Sequence, residues 1–336
     1  MIWKLLHQKF SHLSRTIFCG ALIALAATVS APQAFAQSYP SKPVRLIVPF
    51  AAGGPTDIVA RLVALKLAEK WNQQVIVENV VGASGNIGTR TVARAAPDGY
   101  TVLVTTSGFV VNPSLYVNAP YDPNKDFAPI TIPAHSSNVL IVHPSVPATS
   151  VKELVALVKA NPGKYSYASA GVGQTGHLAG ALLNLTFGLD MTHVPFNGGG
   201  PIMNSMMGGH TQIAFLGLPS AAAYIREGKV RGLMVTGAKR SPAVPDVPTV
   251  REAGIPEQET VFFQGILAPA GTPKEIIDKW HTDVVQIMND PDVKQRLGAA
   301  SYELNPNTPA EFAALIKREV DQWAKVIRDA KIPKVE

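Results

Sequence analysis

Four short stretches of the chain carry the residue types that could do chemistry. The first is Phe50-Ala51-Ala52-Gly53-Gly54-Pro55-Thr56-Asp57, and the second is the turn Gly82 to Gly88 with Ser84 inside it. The third is Thr105-Thr106-Ser107, and the fourth is Ala170-Gly171-Val172-Gly173-Gln174-Thr175-Gly176-His177. Glycine lets a backbone approach a ligand closely, and free amide hydrogens at a helix start attract anions. Two such loops facing each other would clamp a small carboxylate. Their donors are neutral dipoles, so no buried charge stands unpaired when the site is empty. Taken singly, each stretch is equally a tight turn between strand and helix. Thr56 and Asp57 read as helix caps before they read as ligands, while Gln174, Thr175 and His177 read equally either way.

Patterns for catalysis do not fit these residues. Gly82-Ala83-Ser84-Gly85 is not the Gly-x-Ser-x-Gly nucleophile elbow, and no P-loop occurs. Gly171-x-Gly173-x-x-Gly176 matches a dinucleotide fingerprint, but about 20 residues on only Asp190 and His193 are offered. Histidines 135, 143, 177, 193, 210 and 281 show no metal-ligand spacing. No cofactor or metal is expected. An exported hydrolase or isomerase using His177 with Ser169 or Thr175 is the catalytic alternative.

The elements that must position these loops alternate between strand and helix, the α/β signature. Val44 to Phe50 reads as a buried strand, and Asp57 to Trp71 as a helix with Ile58, Leu62 and Leu65 on one face. Val75 to Glu78, Tyr100 to Thr105 and Tyr165 to Ser169 read as further strands, joined by parallel crossovers. Ser150 with Glu153 forms a capping box for a helix from Val151 that stops at Asn161-Pro162-Gly163. Thr272-Pro273 with Glu275, and Thr308-Pro309 with Glu311, read as two more capped starts. In the last helix Phe312, Leu315, Ile316, Val320, Trp323 and Ile327 form a core stripe. Asn138 to His143 and Phe262 to Ala268 are strand-like stretches at which the chain could cross between two lobes. Lobe one would then be 37–138 plus 262–336, and lobe two 139–261.

Length and composition agree with an exported two-lobed body. The 336 residues are 46% hydrophobic with a formal charge of +6. Residues 1–36 read as a cleaved signal peptide: Lys4, Lys9 and Arg15 precede the uncharged run Ile17 to Val29, and Ala34-Phe35-Ala36 supplies the cleavage site. Removing it lowers the charge to +3 and takes away Cys19, the only cysteine. A thiol-free chain with so small a charge lacks cysteine nucleophiles and disulfides, and it lacks the basic field that nucleic acid requires. No later segment is long and apolar enough to span a membrane.

From Tyr39 onward the chain resembles the Bug-type receptors, the solute-binding subunits of tripartite tricarboxylate transporters. The resemblance is carried by Tyr39-Pro-Ser-Lys-Pro-Val-Arg-Leu-Ile-Val-Pro-Phe50, Gly53-Gly54 with Asp57, Val77-Glu78-Asn79 with Gly85-Asn86-Ile87-Gly88, and Ala96-Pro97-Asp98-Gly99-Tyr100. It continues through Tyr121-Asp122-Pro123 with Lys125-Asp126-Phe127, His193-Val194-Pro195, Lys239-Arg240-Ser241-Pro242 and Ala268-Pro269-Ala270-Gly271-Thr272-Pro273. It implies a two-lobed periplasmic-binding-protein fold of the Venus-flytrap, type II kind, with two crossover strands. It further implies a periplasmic, monomeric receptor that captures a carboxylate on the Phe50–Asp57 and Ala170–His177 loops, partly through ordered water. The implied partners are the membrane permease subunits of a tripartite transporter, or alternatively a sensor kinase of a two-component system. The ligand contacts expected are Phe50, Ala51, Gly53, Gly54, Thr56, Asp57, Ser84, Thr106, Ser107, Ala170, Gly171, Gln174, Thr175, His177, Phe196 and Asn197.

The chain departs from the family pattern at Phe196-Asn197-Gly198, at Phe215-Leu216-Gly217, and at Gln264, where an aromatic commonly precedes the glycine. Where many family members carry Phe-Asp-Asn this chain has Phe215-Leu216-Gly217, and losing that acid near the cleft argues against a ligand with a free ammonium, which would want a buried partner. A small organic acid with a neutral or aromatic remainder is expected.

Overall fold

The computed structural model describes residues 39–256, 259–329 and 332–336; the signal peptide expected over residues 1–36 lies outside them. In chain order the elements are β1 (Val44–Val48), α1 (Pro55–Trp71), β2 (Val75–Asn79), α2 (Asn86–Ala93), β3 (Thr101–Thr106), α3 (Gly108–Leu115) and β4 (Phe127–Val142). There follow α4 (Val151–Lys159), β5 (Ser166–Ser169), α5 (Thr175–Phe187), β6 (Thr192–Pro195), α6 (Gly199–Met207), β7 (Ile213–Gly217), α7 (Leu218–Arg226) and β8 (Arg231–Val235). The chain closes with β9 (Val261–Pro269), α8 (Lys274–Asn289), α9 (Pro291–Ala299) and α10 (Pro309–Asp329).

The strands join in the order β2-β1-β3-β9-β4-β7-β5-β6, and β8 pairs with β4 as well. β1 runs parallel to both β2 and β3, the geometry that helical crossovers impose. β4 links the two ends of this array. Its residues Phe127 to Ser137 pair antiparallel with β9, and Asn138 to Val142 pair with β7 on one side while Val139 to Val142 pair with β8 on the other. Alternate residues of the strands beyond Asn138 enter different cores. Leu140, Val142, Tyr167 and Phe215 pack on one face, and Val139, Ile141, Ala168, Ala214 and Leu216 on the other. That two-sided burial is why these strands read as unbroken apolar runs. Ile47, Leu103, Phe263 and Leu267 pack with Phe312 and Ile316 of the expected α10 stripe.

Four local expectations need correction. The buried side of α1 is Val59, Ala60, Val63, Ala64 and Leu67, while Leu65 is half exposed. Both stripes recur at three- and four-residue steps, so periodicity alone could not choose between them. Neither Thr56 nor Asp57 caps α1; the cap position is Gly54, without a side-chain bond. Thr272 likewise caps nothing, because α8 starts one residue later behind Pro273 and the Thr272 hydroxyl donates to the Pro269 carbonyl. The Thr308–Glu311 box is formed in both directions, whereas at α4 the Ser150 hydroxyl accepts from the Glu153 amide while the Glu153 carboxylate accepts from the Thr149 amide one residue earlier. β4 begins eleven residues before the expected Asn138, because Pro129 and Pro133 disguise the strand and coincide with register shifts opposite β9.

Candidate functional site

Four helices begin at a strand end and point their first turns at one cavity. The cap positions of α1, α5, α6 and α7 are Gly54, Gln174, Gly198 and Gly217, and none is closed by a side-chain hydrogen bond. Gly54, Pro55 and Thr56 line the cavity from α1, and Gln174, Thr175 and Gly176 from α5. Gly198 and Gly199 line it from α6, and Gly217 from α7. Phe50, Thr106, Asn138, Ala170, Phe215, Leu216 and Phe262 complete the wall. About 490 Å³ of space lies between these walls, part of it open solvent. It lies beyond the carboxyl ends of β1, β3, β5, β6 and β7, where open α/β sheets bind ligands.

No Lys, Arg, His, Asp or Glu is among the described residues that line it. Each helix start carries amide hydrogens without intrahelical acceptors and the positive end of a macrodipole. The arrangement therefore favours an anion through neutral groups set against aromatic and aliphatic walls. At α6 the backbone is presented bare, because a Cβ on Gly199 would collide with the Ser220 side chain.

The loop before α1 is braced from behind. Asp57, buried, accepts from the Gly53 amide at 2.9 Å, from Arg61 Nε at 2.8 Å and from Asn79 Nδ2 at 2.9 Å. The same Asn79 nitrogen donates to the Phe50 carbonyl at 2.9 Å, and Tyr302 Oη donates to the Pro55 carbonyl at 2.7 Å. Burial pushes the Asp57 carboxyl up, but the bonds from Arg61, Gly53 and Asn79 together outweigh it and hold the group below the usual carboxylate range. Asp57 is thus spent on the loop's shape. Arg61 and Asn79, which complete the brace, were marked in the sequence only by the i,i+4 spacing of Arg61 from Asp57 and by the place of Asn79 in the Val77-Glu78-Asn79 motif.

The second loop is oriented from β4. Asn138 Nδ2 donates to Thr175 Oγ1 at 2.8 Å, which leaves the threonine proton available to donate into the cavity. Asn138 is itself fixed, since its amide donates to Thr236 Oγ1 at 2.9 Å and Thr236 donates to the Thr260 carbonyl at 2.7 Å.

The two loop systems also touch directly. The Ala51 amide donates to the Asn197 carbonyl at 2.8 Å, and Gln174 Nε2 donates to the Ser84 carbonyl at 3.1 Å. The Gln174 side chain lies so close over Gly108 that any Cβ there would collide with it.

Of the residues expected at the site, Phe50, Gly54, Thr56, Thr106, Ala170, Gln174 and Thr175 line the cavity. Ala51, Ser84 and Asn197 contribute backbone to the contacts between loops. Gly53 and Asp57 belong to the brace, Gly171 accepts from Ser169 Oγ, and Phe196 packs on a core. Ser107 Oγ accepts from the Phe263 amide instead of facing the cavity.

His177 turns away from the cavity as well. Its Nδ1 accepts from the Gly173 amide at 3.2 Å, and its ring lies 4.2 Å from that of His193, which in turn meets Ser169 Oγ at 2.7 Å. Burial lowers the His177 imidazole to about 4. Burial, aided by the neighbouring ring, lowers His193 to about 3.

The family resemblance placed Phe196-Asn197-Gly198 and Phe215-Leu216-Gly217 in the wall, but that these stretches open helices aimed at the cavity, and that Asn138 and Phe262 line it, was not expected. Gly198-Gly199, shortly after β6 ends at Pro195, and Gly217, the last residue of β7, were the available signal.

The sequence profile of the tripartite tricarboxylate transporter family receptor matches residues 59–332. The solved periplasmic binding protein BugD is 38% identical and superposes with a TM-score of 0.85, covering 88% of this chain and all of that one. An R. palustris protein solved with adipate is 34% identical, with a TM-score of 0.85 over 88% of this chain and all of the other. MatC from Rhodopseudomonas palustris, solved with bound malate, is 33% identical, with a TM-score of 0.82 over 86% of this chain and all of the other. The chain belongs to the tripartite tricarboxylate transporter receptor family. This is a family of periplasmic solute-binding receptors, not of enzymes, and it shares the periplasmic-binding-protein fold. No described helix is long and apolar enough to cross a membrane.

Proposed function

We propose that this chain captures a small carboxylate at the four converging helix starts and passes it to the permease subunits of a tripartite transporter. The observation that carries the reading is the cavity's composition: four uncapped helix ends, apolar walls and no ionised side chain among the described lining residues. A partly buried helix terminus contributes up to about 2 kcal/mol toward an anion. Four of them supply on the order of 8 kcal/mol before desolvation, comparable to the roughly 8 kcal/mol of a micromolar complex. Adipate and malate on similar proteins are in keeping with a carboxylate guest. The lack of Asp and Glu in the wall supports a guest without a free ammonium.

Residues 37–138 with 262–336 form lobe one in this reading, and 139–261 lobe two. Support comes from the change of β4 partners at Asn138 and from the bonds Ala51–Asn197 and Gln174–Ser84, which would join the lobes in a closed form. The receptor works outside the cytoplasmic membrane as a monomer after its signal peptide is cleaved. Calorimetry with C3 to C6 carboxylic acids and their neutral primary amides tests the proposal. Acids should bind at least about a hundredfold more tightly than their amides, since each charge-assisted bond is worth about 1.5–3 kcal/mol. Equal affinity of acid and amide would refute it.

A further inference from the structure

Gln264 is a polar residue that the fold hides completely and leaves unused. It has no solvent exposure, and neither its Nε2 nor its Oε1 has a hydrogen-bond partner among the described residues. Buried carboxamides are ordinarily paired at both ends, so this one calls for an explanation. Its position in β9 supplies one. Phe263 and Leu267 pack into the core with Phe312, and Gly265 lies against Phe312, so by the two-residue period Phe262 and Gln264 share the other face. Phe262 lines the cavity. Gln264 stands directly opposite Thr106 in the antiparallel register, and Thr106 lines the cavity too. Opposed residues of such a pair project to the same face.

We propose that Gln264, which lies behind the lining residues Phe262 and Thr106 and is not itself part of the described lining, is a specificity-determining residue whose carboxamide turns toward the cavity to pair with a hydroxyl group of the bound acid. The inference rests on the carboxylate reading above and adds to it a second recognition element. The chemistry follows from what a carboxamide offers. Its N–H donates and its oxygen accepts, and a single hydroxyl answers both. An ionised carboxylate could take only the N–H and would leave Oε1 unpaired. The helix starts, by contrast, offer donors alone and are matched to the carboxylate. A site that hydrogen-bonds a hydroxyl discriminates strongly against the analogue lacking it, because its own buried groups are then left unpaired.

Calorimetry with matched acids tests this: malate against succinate, lactate against propionate, 3-hydroxybutyrate against butyrate, and citrate against tricarballylate. In the pair that binds best, the hydroxylated member should bind about tenfold or more tightly to the wild type. In Gln264→Met, which keeps the volume and removes both polar atoms, the preference should shrink to about twofold or less. Gln264→Leu should behave alike, and circular dichroism should show both variants folded. Absence of a preference in the wild type, its survival in either variant, or failure of both variants to fold would overturn the role of Gln264. Binding of the acids without hydroxyl preference sinks this inference alone. Binding of none of them sinks the carboxylate reading and this inference with it.

Discussion

Replacing Gly54 by valine puts a branched side chain where the starts of α1 and α6 come closest. The backbone at Gly54 is extended, with φ −79° and ψ 169°, which any residue adopts. A Cβ built there meets only the Ala51 carbonyl oxygen at 3.5 Å and the Gly199 amide nitrogen at 3.6 Å, ordinary contacts. The fold should therefore tolerate the change, the loss of glycine from the N-cap position offsetting the lower chain entropy of the unfolded state. The valine methyl groups, however, occupy the space in front of the Gly199 amide that an anion would use. Losing the bonds offered by two helix starts, at about 1.5–3 kcal/mol each for a charged acceptor, weakens binding by roughly 3–6 kcal/mol. A micromolar acid would then bind in the range of hundreds of micromolar or worse. Gly54→Ala, with a single methyl, should lose about tenfold or less in affinity while its melting temperature stays close to that of the wild type. Calorimetry reads the affinity and circular dichroism the fold. Native dichroism with wild-type affinity in Gly54→Val would remove the α1 start from the site.

Gln174→Ala removes the bond to the Ser84 carbonyl and should favour a more open molecule. The expected result is a larger radius of gyration by small-angle scattering in the absence of acid, with apparent affinity reduced about fivefold for one lost hydrogen bond; an unchanged radius and affinity would contradict it. The His177–His193 pair makes the fold sensitive to mild acid. Both rings are held neutral, near 4 and 3, by burial, whereas an unfolded histidine titrates near 6.5. Between those values the unfolded chain binds protons that the folded chain refuses, so stability is full above about pH 6.5 and falls as pH drops toward 4. For His177 alone the loss is on the order of 3 kcal/mol. Denaturant midpoints between pH 7 and pH 4 should fall steeply for the wild type and less steeply for His177→Gln, and equal slopes would refute the assignment.

The α/β alternation and most helix starts were legible in the sequence because their signals are local. Capping boxes at Ser150 and Thr308 and the apolar run from Val44 need no tertiary context. The α1 face was misread because the helix is apolar nearly all round, and only packing decides between Val59-Val63-Leu67 and Ile58-Leu62-Leu65. β4 was shortened because Pro129 and Pro133 usually break strands, and only the paired β9 shows that bulges accommodate them.

At the site, the loops before α1 and α5 were recognisable by glycines between a strand and a helix. That the starts of α6 and α7 join them depends on how the strands are ordered in the sheet, which spacing does not encode. His177 was expected in the cleft from its place in the loop. The first turn of α5 instead directs it toward His193, a contact 16 residues away in sequence.

The most direct test of the central claim is a crystal structure of the protein with the acid that calorimetry ranks first. The account predicts carboxylate oxygens about 2.7–3.2 Å from backbone amides at the starts of α1, α5 and α6 and from the Thr175 hydroxyl, with no lysine or arginine in contact. An acid seated on a cationic side chain, or bound away from these helix ends, would contradict it.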